Sequence, residues 1–127
     1  MRTIQARELL AQGRTVLNGW STIPGGFLAE VMASLGWDAL TIDMQHGIIG
    51  QPDMVAMLQA ISTTPITPMV RLAANDARLI GQALNAGVMG VICPHQFAGG
   101  SRELCRGLPV SAPGRSQLGR HARDDLC

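Results

Sequence analysis

Lysine and tyrosine are absent from the chain, and aromatic residues are few: Trp20, Phe27, Trp37 and Phe97. Without lysine, no mechanism that passes through a lysine Schiff base can run on these residues. All ten basic residues are arginine and the net charge is only +1. A basic field and a stacking platform are both missing, so nucleic acid is not an expected partner. Cysteine is scarce as well. Cys93, Cys105 and Cys127 are odd in number and lack CxxC spacing, which supports neither a disulfide framework nor a zinc site. Cys105 and Cys127 are expected to be incidental free thiols. No apolar run reaches membrane-spanning length and no signal-type segment follows Met1, so the expected location is cytoplasmic, with no membrane partner.

What is present suits a globular domain. The 127 residues are 46% hydrophobic and 15% charged, within the range of one domain with a real core. The composition changes sharply after Pro94. All seven Met and all nine Ile precede that point, whereas five of the ten Arg and five of the fifteen Gly follow it. Residues 1–94 are therefore expected to form the folded domain, and residues 95–127 an irregular tail.

Up to Pro94, hydrophobic periodicity predicts alternating helices and strands. A short helix spans Ile4 to Gln12 and stops at Gly13. A strand over Thr15–Trp20 precedes a helix from Pro24 or Gly26, with Phe27, Leu28, Val31 and Leu35 at helical spacing and Gly36 as its stop. A second strand covers Asp38–Asp43, and Pro52 and Asp53 open a helix carrying Met54, Met57, Leu58 and Ile61. The third strand, Thr67–Leu72, leads to an Asn75-Asp76 cap, then to a helix with Leu79, Ile80, Ala83 and Leu84 on one face, closed by Gly87. Met89–Pro94 is the fourth strand.

Strand ends at Trp20, Asp43, Arg71 and Cys93 are 23, 28 and 22 residues apart, a period suited to successive βα units around a parallel sheet. A doubly wound sheet would carry a glycine-rich phosphate loop after its first strand. Residues 19–26, GWSTIPGG, match neither that pattern nor the Walker pattern, which favours a barrel. Barrel enzymes place their chemistry at the C-terminal ends of strands, where this sequence has Asp43, His46 and Arg71. An imidazole near a carboxylate is suited to general base work. An arginine offers a permanently charged fork for a carboxylate or an enolate. The three together suggest chemistry on a small anionic oxo acid.

Gly19-Trp20, Ala29-Glu30-Val31, Leu35-Gly36-Trp37-Asp38, Thr41-Ile42-Asp43-Met44-Gln45-His46-Gly47, Met69-Val70-Arg71-Leu72 and Ala86-Gly87 through Val91-Ile92-Cys93-Pro94 occur in unbroken order. This stretch, residues 15 to 94, resembles the HpcH/HpaI aldolase/citrate lyase family, the class II pyruvate-type aldolases. The resemblance implies an α/β fold, the N-terminal half of a (β/α)8 TIM barrel of the phosphoenolpyruvate/pyruvate type, usually in a homo-oligomer. It implies metal-dependent cleavage of 4-hydroxy-2-oxo acids to pyruvate and an aldehyde, with Mg2+, Mn2+ or Co2+ as cofactor. By that resemblance His46 is the base for the substrate hydroxyl, with Asp43 beside it, and Arg71 contacts pyruvate and steadies the enolate.

Two positions depart from the family pattern. Its L-D-x-G reads Leu84-Asn85-Ala86-Gly87 here, so Asn85 supplies no charge to a protonated His46. Its D-x-E-H reads Asp43-Met44-Gln45-His46. The family's metal-binding carboxylates come from later strands, and after Pro94 only Glu103, Asp124 and Asp125 remain, so no metal ligand carries over. The abrupt change in residues 95–127 is what a shifted reading frame or a gene-level truncation would produce. The alternative expectation is then an inactive fragment that self-associates or binds oxo acids weakly.

Overall fold

A computed structural model of the protein describes residues 4–94, which lie within one compact unit, Met1–Pro94. The expectations for residues 95–127, including the irregular tail, the two thiols and the three late carboxylates, fall outside the described residues. The element order is α1 (Gln5–Ala11), β1 (Asn18–Ser21), α2 (Gly26–Ala33), β2 (Ala39–Asp43), α3 (Gln51–Ile61), β3 (Thr67–Arg71), α4 (Ala77–Asn85) and β4 (Gly90–Ile92).

The strands form one parallel sheet in the order β1-β2-β3-β4. The chain winds in one direction without the reversal that defines a doubly wound sheet, so the arrangement is that of three consecutive βα units and a fourth strand. Register assigns the two faces. Gly19, Leu40, Ile42, Pro68, Val70 and Val91 share one; Trp20, Thr41, Asp43, Met69, Arg71 and Ile92 share the other. Leu40, Ile42 and Val70 are wholly buried on the first face, while Thr41, Asp43 and Arg71 lie on the second.

Local chemistry explains most element ends. The Asp76 side chain caps α4 by accepting the N–H groups of Arg78 (2.7 Å) and Leu79 (3.2 Å). Removing it in Asp76→Ala is expected to cost about 1 kcal/mol of stability in urea denaturation. Gly87 ends the helix with φ +97°, a conformation that a side chain would strain. In α3, the Asp53 carboxylate accepts the Gly50 N–H at 3.0 Å, and Met54, Met57, Leu58 and Ile61 are all buried, as their spacing predicts.

Three expectations need correction. β1 begins at Asn18 rather than Thr15, because the Leu17 N–H donates to the Asp38 carboxylate (2.8 Å) and its carbonyl accepts from Asp38 and Ala39. The lead-in is thus held partly by the Asp38 side chain, which takes the N–H that a ladder would use. In α2 the buried residues are Ala29 and Ala33, and Phe27, Val31 and Leu35 are exposed, Phe27 by 81%. The helix packs against α3 through small residues, with Gly26 against the Ala56 carbonyl and Ala60, so its larger apolar side chains point away. In α4, Ile80 and Ala83 are buried but Leu84 is exposed.

Below the second face, the Ala6 N–H donates to Thr67 Oγ1 (3.0 Å), and Ala6 and Leu9 are buried. This ties α1 to the start of β3. The Pro68 carbonyl accepts the Met89 N–H (2.9 Å) just before β4 begins.

Candidate active site

β2 ends on Asp43 and β3 ends on Arg71, and the two are direct register partners. Their side chains therefore leave the sheet side by side at its C-terminal edge. Arg71 Nε donates to Asp43 Oδ1 (2.8 Å) and Nη2 donates to Oδ2, a bidentate ion pair. The carboxylate is buried, whereas the guanidinium side chain is 22% exposed.

Asp43 is more than a partner for Arg71. Its Oδ1 also accepts the backbone N–H of Gln45 (3.0 Å) and of His46 (3.3 Å), and Oδ2 accepts the indole N–H of Trp20 (3.1 Å). The Arg71 guanidinium holds the carboxyl well below the usual carboxylate range, against the burial that would raise it, and the Trp20 and backbone donors act in the same direction as Arg71. Asp43 in turn raises the Arg71 pKa. The guanidinium carbon lies 5.0 Å from the centre of the Trp20 ring, within cation–π range.

His46 sits in the loop after β2, exposed and anchored through its backbone. Its imidazole makes no hydrogen bond among the described residues. Asp43 thus meets His46 at the main chain and not at the ring, because its two oxygens are already occupied by five donors. The loop turns back closely over the strand. A Cβ on Gly47 would overlap the Asp43 carbonyl oxygen and come within 2.8 Å of the Thr22 carbonyl oxygen, while the Ile48 N–H donates to that Thr22 oxygen (3.1 Å). Glycine at the end of the D-x-x-H-G motif is thereby explained by close backbone approach.

The structure brings Asp43 and Arg71 together, places His46 one loop turn away, and leaves Asn85 apart. Asn85 is the exposed last residue of α4, which runs back toward the start of β4, at the opposite end of the sheet from His46. Among the described residues its side chain makes no hydrogen bond to the imidazole. Cys93 follows β4, half-buried, and burial pushes its thiol up, away from the reactive thiolate. Trp20 is the residue that sequence reasoning missed. The signal was available: it lies one residue before the end of β1, on the same face as Asp43 and Arg71.

No protein-family model matches the chain. A hydroxypyruvate/pyruvate aldolase of Rhizorhabdus wittichii is 42% identical over 90 residues, 71% of this chain and 36% of the relative. A 4-hydroxy-2-oxo-heptane-1,7-dioate aldolase of Klebsiella pneumoniae is 33% identical over 88 residues, 69% and 33% of the two chains. Among solved structures, an HpcH/HpaI aldolase/citrate lyase family protein from Burkholderia cenocepacia J2315 superposes with a TM-score of 0.68. It is 32% identical, and the match covers 74% of this chain and 38% of that one.

Over the matched stretch, this chain belongs to the HpcH/HpaI aldolase/citrate lyase family. It spans about a third of the length of the curated relatives it matches. The four-stranded parallel sheet corresponds to the N-terminal half of the (β/α)8 barrel of these HpcH/HpaI proteins. In such a barrel the face bearing Asp43 and Arg71 is the interior, and the edge where they emerge is the catalytic end. No helix among the described residues is long and apolar enough to cross a membrane.

The HpcH/HpaI family implies a divalent metal, and the described residues do not fit one. No three of His, Cys, Asp and Glu converge among them, and the Asp43 oxygens are taken by Arg71, Trp20 and two backbone N–H groups.

Proposed function

We propose that residues 1–94 supply the oxo-acid-binding half of a pyruvate-type aldolase site, acting on 4-hydroxy-2-oxo acids to give pyruvate and an aldehyde. The observation that carries this reading is the bidentate Asp43–Arg71 pair at the C-terminal edge of the sheet. Asp43 takes Nε and one N–H of Nη2, so the guanidinium keeps Nη1, which makes no hydrogen bond among the described residues. Those remaining N–H groups receive the oxygens of a 2-oxo acid and stabilise negative charge as it develops on the enolate. His46, on the loop beside them, takes the proton of the substrate 4-hydroxyl as the carbon–carbon bond breaks. Asp43 does not handle that proton; fully occupied and strongly acidic, it fixes Arg71 and the His46 backbone.

A divalent metal, Mg2+, Mn2+ or Co2+, is the proposed cofactor of the complete site, with its ligands outside the described residues, and a homo-oligomer is the proposed assembly. Pyruvate binding tests the reading directly. Titration followed by NMR should show saturable shifts centred on residues 20, 43 to 47 and 71, and Arg71→Gln should weaken the affinity at least tenfold. Binding untouched by that substitution would remove Arg71 from the site. Release of pyruvate from a 4-hydroxy-2-oxo acid, with divalent cation supplied, should disappear in His46→Ala while pyruvate binding persists. The second reading, binding of oxo acids without turnover, is favoured by the lack of a converging carboxylate set among the described residues. It predicts that binding survives and cleavage is absent in the unaltered chain.

A further inference from the structure

We propose that Trp20 is a positioning residue for Arg71, its ring and its N–H together holding the guanidinium in the orientation that leaves Nη1 without a hydrogen-bond partner among the described residues. This rests on the reading of Arg71 as the oxo-acid contact. Trp20 is 41% exposed, so burial of its apolar surface does not account for a large indole at this place. Both of its interactive features are used instead. The indole N–H donates to Asp43 Oδ2 (3.1 Å), the same oxygen that accepts Arg71 Nη2, and the guanidinium carbon stands 5.0 Å from the ring centre.

The ion pair alone fixes two N–H vectors but leaves the pair free to swing out of its common plane. The ring, 5.0 Å from the guanidinium carbon, limits that swing, and the N–H fixes the carboxylate about which it would occur. Trp20 thereby brings β1 into a site otherwise built from β2 and β3. Phenylalanine would supply the ring without the N–H, and an aliphatic residue neither.

Exchange of the Arg71 Nε proton, followed by NMR on the whole chain, reads this orientation without a ligand. In the unaltered protein the proton should exchange slowly. Trp20→Leu should accelerate exchange about tenfold and abolish the ring-current shift of the Arg71 side chain; Trp20→Phe should accelerate it by about threefold and keep most of the shift. Exchange within twofold of the unaltered protein in both variants would overturn the proposal. So would a Trp20→Phe variant that is folded by circular dichroism and unchanged in both readouts. Pyruvate affinity supplies the functional arm, with a loss of about fivefold in Trp20→Leu and partial recovery in Trp20→Phe. If the unaltered chain binds no pyruvate, the proposed function fails while the exchange measurement still decides the role of Trp20.

Discussion

Replacing Asp43 with alanine should lower the free energy of unfolding by about 3 kcal/mol and abolish pyruvate binding. One substitution strips the acceptor from five donors: the Nε and Nη2 groups of Arg71, the Trp20 indole, and the backbone N–H groups of Gln45 and His46. The cost falls at the low end of that for breaking a buried ion pair, because the surviving Arg71 side chain is 22% exposed and regains water. The pH dependence has a definite sign. The folded protein holds the Asp43 carboxyl below its unfolded value, so the stabilisation is fully present above the unfolded value of about 3.9 and is lost as the pH falls from there through the lower folded value. Urea denaturation should therefore find a constant gap between the unaltered protein and Asp43→Asn from pH 7 to pH 5, shrinking only below about pH 4. A gap that narrows between pH 7 and pH 5 would contradict the pairing described here.

Gly47→Ala should cost about 2–3 kcal/mol and displace the His46 loop, although it adds a single methyl group. The added carbon has no flexible neighbour to push aside: it meets the carbonyl oxygens of Asp43 and Thr22 and the Thr22 Cα. Relief requires the segment after β2 to lift from Thr22, breaking the Ile48 N–H bond to the Thr22 oxygen. Urea denaturation and the NMR shifts of the His46 ring check both effects. A variant with undiminished stability and an unmoved ring would mean that this loop does not lie against Thr22.

The elements and their order were legible because the expected strand ends at Trp20, Asp43, Arg71 and Cys93 fall within one residue of those observed, Ser21, Asp43, Arg71 and Ile92, and because Met54, Met57, Leu58 and Ile61 fall on one helical face. The inward side of α2 was not legible. Periodicity ranks residues by apolarity, and there the close approach of α3 selects Ala29 and Ala33 for size, turning Phe27, Val31 and Leu35 outward. At the site, strand-end position was enough to find Asp43 and Arg71. Their pairing depends on register between strands, which no local pattern encodes, and so does the sharing of Asp43 Oδ2 between Trp20 and Arg71. Asn85, the position that departs from the family pattern, ends α4 and so lies, among the described residues, at the other end of the sheet from the loop after β2.

Pro68 has no N–H to donate, and in a parallel strand a residue's donor and acceptor face the same neighbour. Its carbonyl reaches Met89, so the missing donor also faces β4 and leaves the Leu40 side of β3 intact. β4 is thereby joined to the sheet over only the three pairs from Met69–Gly90 to Arg71–Ile92, whereas β2 and β3 share five. Opening of the sheet should start from β4 as a sub-global event, with β2 and β3 persisting as a cooperative pair. Because the Asp43–Arg71 bridge spans that pair, it outlasts the fraying of its own flank.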